Sequence, residues 1–222
     1  ITAKAQGSYP IDSDYPSFFR VIHENDPSLE LGSYTTWQTI NNLIVEDGIG
    51  ITKVGWSGTD ADLTDKICAY VKTSAPTALF VQFDNVDAAG HHYGFGSEEH
   101  LDKITETDAL IGRIHDAYVE KGILDETLFI VTTDHGGTKV ASGSYLGKHG
   151  GETPEEKEIT FAAVGKTVVN GGEIKDFEIR DTAAIVLYAL GYEQPASWTA
   201  RVPSGLFEGV EASERPVWVK PA

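Results

Sequence analysis

The segment TALFVQFDNVDAAGHHYG, residues 77–94, decides the fold class, because an apolar run of strand length ends directly at acidic and histidine residues. Residues 77–83 have the pattern of a buried strand, and Asp84, Asp87 and His91 follow it. Ligand sites in open α/β sheets lie beyond the carboxyl ends of the strands. The segment therefore predicts a strand of an α/β sheet with functional side chains at its end.

Two further motifs repeat this arrangement. Residues 127–137, TLFIVTTDHGG, place an aspartate and a histidine after a second apolar strand, and residues 147–151, GKHGG, place a histidine in a glycine loop. Carboxylate and imidazole groups are the ligands that borderline divalent metals prefer in proteins. The candidate ligands for two metal ions are Asp87, His91, Asp134, His135 and His149.

Strand-like and helix-like patterns alternate along the rest of the chain. The strand-like segments are residues 31–37, 50–56, 77–83, 127–135 and 161–166. The helix-like segments are residues 15–27, 37–45, 59–75, 97–122 and 179–191. Strands separated by helices imply parallel pairing. We predict a three-layer α/β/α fold around a mostly parallel central sheet, in one domain over residues 1–222.

The longest helical pattern, residues 97–122, begins at Ser97, which we predict to be its N-cap. The spacing of its apolar residues predicts one buried face. That face consists of Leu101, Ile104, Ile111, Ile114 and Tyr118. His100 lies beside acidic residues, so we predict that it faces solvent.

The composition restricts the possible partners. The chain has 222 residues, and Asp plus Glu outnumber Lys plus Arg by 34 to 17, for a net charge of −17. A nucleic acid duplex or an anionic membrane requires a basic surface, so this balance argues against both. We find no run near the roughly 20 apolar residues of a membrane span. The one cysteine, Cys68, lies in a helical pattern, which favours a buried thiol over a ligand.

The motifs resemble the alkaline phosphatase superfamily, and especially its type I phosphodiesterase/nucleotide pyrophosphatase branch. DNVDAAGHHYG is similar to the D-x-x-G-H-x-x-G element of the superfamily, TTDHGG to its aspartate–histidine pair, and GKHGG to its late histidine. The resemblance implies two divalent ions, zinc or alternatively manganese. It assigns Asp87, His91 and His149 to one ion, and Asp134 and His135 to the other.

The resemblance also implies an activity, namely metal-dependent hydrolysis of a small-molecule phosphate ester, in a periplasmic or extracellular location. Three other readings stay open: a sulfatase or phosphonate hydrolase, a manganese-dependent phosphomutase, and a non-catalytic metal-binding module. The early aspartate and the Thr or Ser nucleophile of the superfamily have no match in this chain. We therefore expect the chain to be a C-terminal portion of the domain that is inactive in isolation.

Several residues near the motifs have more than one interpretation. Asp47 imitates the early aspartate but lies in the wrong order along the chain, so we do not predict it as a ligand. Asp84 is predicted to orient His91 or to cap the segment that follows it. Tyr93 and Phe95 either border a substrate pocket or pack under a glycine-rich loop. We expect His92 to lie at the loop surface or at the rim of the substrate site.

Overall fold

The computed structural model describes residues 14–217. Its central sheet has three parallel strands, β1 (Leu31–Thr35), β2 (Thr52–Gly55) and β3 (Ala78–Gln82), in the order β2-β1-β3. Parallel strands of one sheet need crossover connections, and helix α2 (Asp60–Thr73) supplies the one from β2 to β3, which lie on opposite sides of β1. This arrangement confirms the predicted α/β class.

Helices cover both faces of this sheet. On one face, α1 (Phe18–Asn25) and α6 (Asp181–Ala189) pack on the side chains of Leu31, Ala78 and Phe80. On the other face, α2 and α4 (Glu98–Lys121) pack on Tyr34, Leu79 and Val81. The two apolar cores are separated by the strands, because successive side chains of a strand point to opposite faces. Strand β1 is buried along its whole length.

The long helix α4 follows its predicted limits but not its predicted buried face. Ser97 Oγ accepts a hydrogen bond from the His100 N–H at 3.3 Å, and Gly122 ends the helix in the left-handed conformation at φ 76°. Leu101 and Ile104 are 54% and 42% exposed. The predicted face is therefore wrong in the first half of the helix. The reason is that the core shared with α2 includes only the second half, at Ile114, Ala117 and Tyr118.

The strands after α4 differ from the single, mostly parallel sheet that the sequence predicts. Strand β4 (Phe129–Thr132) pairs in an antiparallel manner with β7 (Phe161–Val164), and a hairpin of β5 (Thr138–Lys139) and β6 (Gly147–Lys148) lies between them in the chain. Between β4 and β7 the only helix is the four-residue α5 (Pro154–Lys157). The chain thus turns back without a helical crossover, which makes β7 an antiparallel neighbour.

Three further helices complete the described elements. Residues 37–45, predicted as a short helix, contain a five-residue π-helix (Ile40–Ile44). A 3-10 helix (Leu124–Glu126) follows α4. Helix α3 (Asn85–Tyr93) follows β3 and contains Asp87 and His91. Among the described residues, no helix combines the length and the apolar character needed to cross a membrane.

The C-terminal segment is held by a buried ion pair. Arg215 donates from both Nη atoms to the Asp181 carboxylate, at 2.7 and 2.9 Å. Asp181 is fully buried and also accepts from the backbone N–H groups of Glu178 and Arg201. Burial alone raises the pKa of the Asp181 carboxyl, but these hydrogen bonds together lower it below its usual value.

We predict that Arg215→Ala lowers the free energy of unfolding by about 3 kcal/mol at pH 7, because it leaves a buried carboxylate without its cation. The folded-state pKa of Asp181 lies below the unfolded value of about 3.9, so this contribution is complete above about pH 5 and is lost as the pH falls through the folded-state pKa. Urea unfolding between pH 3 and 7 measures both effects. The control is Arg180→Ala, half-exposed and paired with Glu178, which should cost below about 1 kcal/mol. Equal losses in the two variants would contradict the prediction.

Candidate metal centre

Three separate elements supply the five candidate ligands. Asp87 and His91 lie four residues apart in α3, which places both side chains on one face of the helix. Asp134 and His135 follow the end of β4, and His149 directly follows β6. Only two residues separate the end of β3 from the start of helix α3. The ligands of a single site thus come from a helix, a strand end and a hairpin.

The five side chains lie together around the carboxylate of Asp87. His91 Nε2 is 3.4 Å from Asp87 Oδ2, and His149 Nε2 and His135 Nε2 are 3.6 and 3.9 Å from Asp87 Oδ1. Asp134 Oδ2 lies 3.7 Å from His135 Nε2. One ligand atom from each of Asp87, His91 and His149 lies within 4.8 Å of the other two.

Two of the imidazole rings are oriented by backbone carbonyl groups. His91 Nδ1 is 3.0 Å from the carbonyl oxygen of Gly147, and His135 Nδ1 is 2.9 Å from that of Gly136. A carbonyl oxygen only accepts, so each Nδ1 donates, and in the neutral ring the Nε2 atom that faces the cluster then has the lone pair. This is the tautomer and the outer hydrogen bond that metal-binding histidines use.

The Asp87 carboxylate provides a test of whether a cation fits. Its Oδ1 atom is buried and accepts no hydrogen bond from the described residues. A buried carboxylate oxygen without a donor is costly unless a cation faces it. Here the nearest groups are the Nε2 atoms of His135 and His149, whose lone pairs suit a metal ion better than they suit the carboxylate. The residues present therefore fit a divalent cation.

Close backbone approach brings the hairpin onto α3. A Cβ atom on Gly147 would lie 2.0 Å from the carbonyl oxygen of Gly90, so only glycine fits there. The Leu146 N–H donates to the carbonyl oxygen of His91 at 2.8 Å. The ring of Phe95 packs beneath this junction, and added Cβ atoms on Gly90 and Gly147 would both meet it. Phe95 therefore packs under the glycine-rich segments, which was one of its two predicted roles.

Like charges and burial shape the protonation of the centre. Burial and the neighbouring His135 and His91 lower the pKa of His149, which favours the neutral imidazole that a metal requires. The pKa of Asp84 is raised, chiefly by burial and further by Asp87 and Asp134.

The residues next to the motifs are placed as follows. Asp84 stands at the N-cap position of α3, but its side chain makes no capping hydrogen bond and accepts from Gln82 Nε2 at 3.2 Å. Both predicted roles of Asp84 are thus wrong, because the Gly147 carbonyl orients His91. Asp47 is 96% exposed and pairs with Lys53, away from the cluster.

The other residues considered from the sequence lie at the surface or are half-buried. His92 is exposed, with its ring against that of Tyr93, which is itself 46% exposed. Cys68 is half-buried, and its thiol lies 3.6 Å from the carbonyl oxygen of Arg113. Sequence reasoning missed the carbonyl groups that orient the histidines, since the sequence does not show backbone direction.

Solved structures identify the kind of fold. The chain superimposes on a phosphoglycerate mutase of Leishmania mexicana with a TM-score of 0.55, over 85% of this chain and 39% of that chain, at 13% identity. At this identity the likeness shows the fold alone. It is an α/β fold of the alkaline phosphatase type.

A model of one sequence family matches most of the chain. The matched family is described as type I phosphodiesterase / nucleotide pyrophosphatase, and the match covers residues 31–186. The chain belongs to this family, within the alkaline phosphatase superfamily. The resemblance stated from the three motifs is thereby confirmed.

Curated relatives carry a different name. The chain is 28% identical over 142 residues to a 2,3-bisphosphoglycerate-independent phosphoglycerate mutase of Shewanella baltica (strain OS185), which covers 64% of this chain and 26% of the relative. A protein of the same name from Rhodopirellula baltica (strain DSM 10527 / NCIMB 13988 / SH1) is 27% identical over 144 residues, 63% of this chain and 24% of the relative. The chain thus spans about a quarter of the length of these relatives.

His100 lies beneath the centre and corrects a prediction. It is 8% exposed, although its sequence neighbours predict a solvated face. The Gly96 N–H donates to its Nδ1 at 3.2 Å, and its ring packs against Phe95. Burial lowers the pKa of His100, which the charge of Asp87 offsets in part. A buried acceptor nitrogen thus closes the turn between α3 and α4.

We predict that the free energy of unfolding decreases as the pH falls below about 6.5, which is the pKa of histidine in an unfolded chain. The folded-state pKa of His100 lies below that value. As the pH falls, the unfolded chain therefore takes up a proton that the folded chain does not. His100→Gln removes this proton uptake and should reduce the slope of the free energy of unfolding against pH. Urea unfolding at pH 5 and 7.5 measures it, with the half-buried, surface-paired His115→Gln as control. A slope left unchanged by His100→Gln would disprove the prediction.

Proposed function

We propose that this chain carries the metal centre of a two-metal hydrolase of phosphate esters, a phosphodiesterase/nucleotide pyrophosphatase or a phosphatase. The observation that supports the proposal is the convergence of ligand atoms from Asp87, His91 and His149 within 4.8 Å, with Asp134 and His135 beside them. Membership of the type I phosphodiesterase family supports phosphate esters as the substrate class.

In this proposal, Asp87, His91 and His149 hold one divalent ion, zinc or alternatively manganese. Three protein ligands and a water molecule complete the four positions that zinc prefers. Asp134 and His135 face a second ion but supply only two ligands, so these residues alone hold that ion weakly. A pair of bound ions would neutralise the charge of the phosphoryl group during an in-line displacement.

The remaining role of the chain is to position these groups. The carbonyl groups of Gly147 and Gly136 fix the directions of the His91 and His135 rings, so that their Nε2 atoms point at one volume. The Tyr145 ring stands at the edge of His91, with centroids 6.0 Å apart, and is 65% exposed at the rim. We propose a small-molecule ester as substrate, bound over this rim.

We also propose that residues 1–222 belong to a single three-layer α/β/α domain. The support is that α1 and α6 cover one face of the sheet while α2 and α4 cover the other. The family match, residues 31–186, runs across both faces and all five candidate ligands.

A second candidate is a phosphomutase on the same scaffold. It is favoured by the curated relatives, whose name is that of a phosphoglycerate mutase and which match over 63–64% of this chain. A mutase returns the phosphoryl group to a second hydroxyl of its substrate, whereas a hydrolase passes it to water. The two candidates therefore differ in the acceptor and share the metal centre.

The first test concerns metal binding by the 222-residue chain. We expect isothermal titration calorimetry with Zn²⁺ or Mn²⁺ to show one ion bound tightly. His149→Ala should weaken binding at least about tenfold, since one of three ligands is lost. The matched control is His92→Ala, an exposed histidine of helix α3 outside the cluster. Two tight ions, or equal affinities in all three proteins, would contradict the assignment.

The second test concerns turnover. The natural full-length protein should hydrolyse bis(p-nitrophenyl) phosphate faster than p-nitrophenyl phosphate, and a chelator should abolish both activities. Asp134→Asn should lower kcat by about a hundredfold, because it misplaces charge facing the phosphoryl group. The 222-residue chain alone should show negligible turnover. Isomerisation of a phosphoglycerate without ester hydrolysis would favour the mutase, and neither activity in a metal-loaded protein would refute both candidates.

A further inference from the structure

The helix that carries Asp87 and His91 is not capped by its own sequence. Asp84 stands at the N-cap position of α3 with φ −112° and ψ −15°, and its carboxylate binds Gln82 instead of the helix. The first N–H groups of a helix have no partner within it and need one from outside. In a short helix this need is proportionally large, and α3 has nine residues.

The missing cap comes from a different helix. Asp60, the first residue of α2, accepts a hydrogen bond on Oδ2 from the Asn85 N–H at 3.1 Å and on Oδ1 from the Asp84 N–H at 3.4 Å. Its carboxylate therefore binds the start of α3 with both oxygens. A negative charge at this end is also favoured by the dipole of the helix.

Asp60 is itself held rigidly. It is 1% exposed, and the Thr36 hydroxyl, just past the end of β1, donates to its Oδ1 at 3.2 Å. Next to it, Thr59 and Asp62 form a capping box on the exposed side of α2, which involves neither oxygen of the Asp60 carboxylate. One buried carboxylate thus joins the ends of β1 and β3 to the first turns of α2 and α3.

We propose that Asp60 is a positioning residue of the metal centre, and that its capping of α3 sets the affinity of the centre for its ion. The inference rests on the proposed metal-binding role of Asp87, His91 and His149. Asp87 is two residues after the capped Asn85, whereas His149 belongs to the β5–β6 hairpin. A shift or fraying of the first turn of α3 would therefore move Asp87 away from the histidine on the other element. Asp60 contacts the backbone and none of the ligand atoms.

The test is calorimetric titration of the 222-residue chain with Zn²⁺. We expect Asp60→Ala to weaken binding by about 10- to 100-fold, the usual cost of losing an outer-sphere partner. Asp60→Asn keeps the size but turns an NH₂ group towards one of the two N–H donors, so it should give an intermediate loss. If Asp60→Ala does not fold, Asp60→Asn alone decides the comparison.

The matched control is Asp62→Ala, which removes the capping box of the same helix on its exposed side. It should lower the melting temperature and leave Zn²⁺ affinity within about twofold of the wild-type value, because it does not touch α3. A merely structural role of Asp60 would also lower the melting temperature but would not move the affinity. Wild-type affinity in Asp60→Asn, or an equal loss in Asp62→Ala, would overturn the inference.

Hydrogen exchange separates this inference from the proposed function. Amide exchange of residues 85–93 without metal should be faster in Asp60→Asn than in Asp62→Ala, because only the first variant uncaps α3. If the wild-type chain binds no Zn²⁺, the proposed metal centre fails, and exchange then decides the capping by Asp60. Unchanged exchange in α3 of Asp60→Asn would refute that capping as well.

Discussion

The Asp87 carboxylate is the constraint on which the rest of the centre depends. Its Oδ1 atom is buried without a hydrogen-bond donor among residues 14–217, and three histidine Nε2 atoms lie within 3.9 Å of its two oxygens. A carboxylate in this position needs a cation, and the surrounding lone pairs need the same cation. The elements around it serve to bring these groups together at the edge of the sheet.

Tight backbone packing makes this convergence possible. The hairpin of β5 and β6 reaches α3 only because Gly147 has no side chain at the point where it meets Gly90. The ring of Phe95 fills the space below, and the Gly147 carbonyl directs His91. A glycine in this motif is thus a requirement of ligand geometry, in addition to any role in loop conformation.

The sequence predicts the parts of this structure that depend on local pattern. A continuous apolar run indicated β3, and the capping residue Ser97 indicated the start of α4. Helix α3 was not predicted as an element, although the four-residue spacing of Asp87 and His91 is helical. That spacing, with Ala88 and Ala89 between, was the available indication.

Other features depend on contacts between distant segments and are invisible in a single sequence. The pairing of β4 with β7 follows from how the chain turns back, and the burial of His100 follows from its contact with Phe95. Likewise, the exposure of Leu101 and Ile104 depends on where α2 ends its contact with α4. Periodicity identified which residues share a helix face, but not what covers that face.

The β5–β6 hairpin has a thermodynamic consequence for the whole chain. It pairs over only two residues in each strand, so it contributes few backbone hydrogen bonds of its own. An ion shared by His149 after the hairpin and by Asp87 on α3 would act as a cross-link between them. By mass action, such a ligand at a hundred times its dissociation constant adds about 2.7 kcal/mol to the folded state. The divalent ion concentration would then be a variable of folding, and depletion of the ion would release the hairpin before it unfolds the sheet.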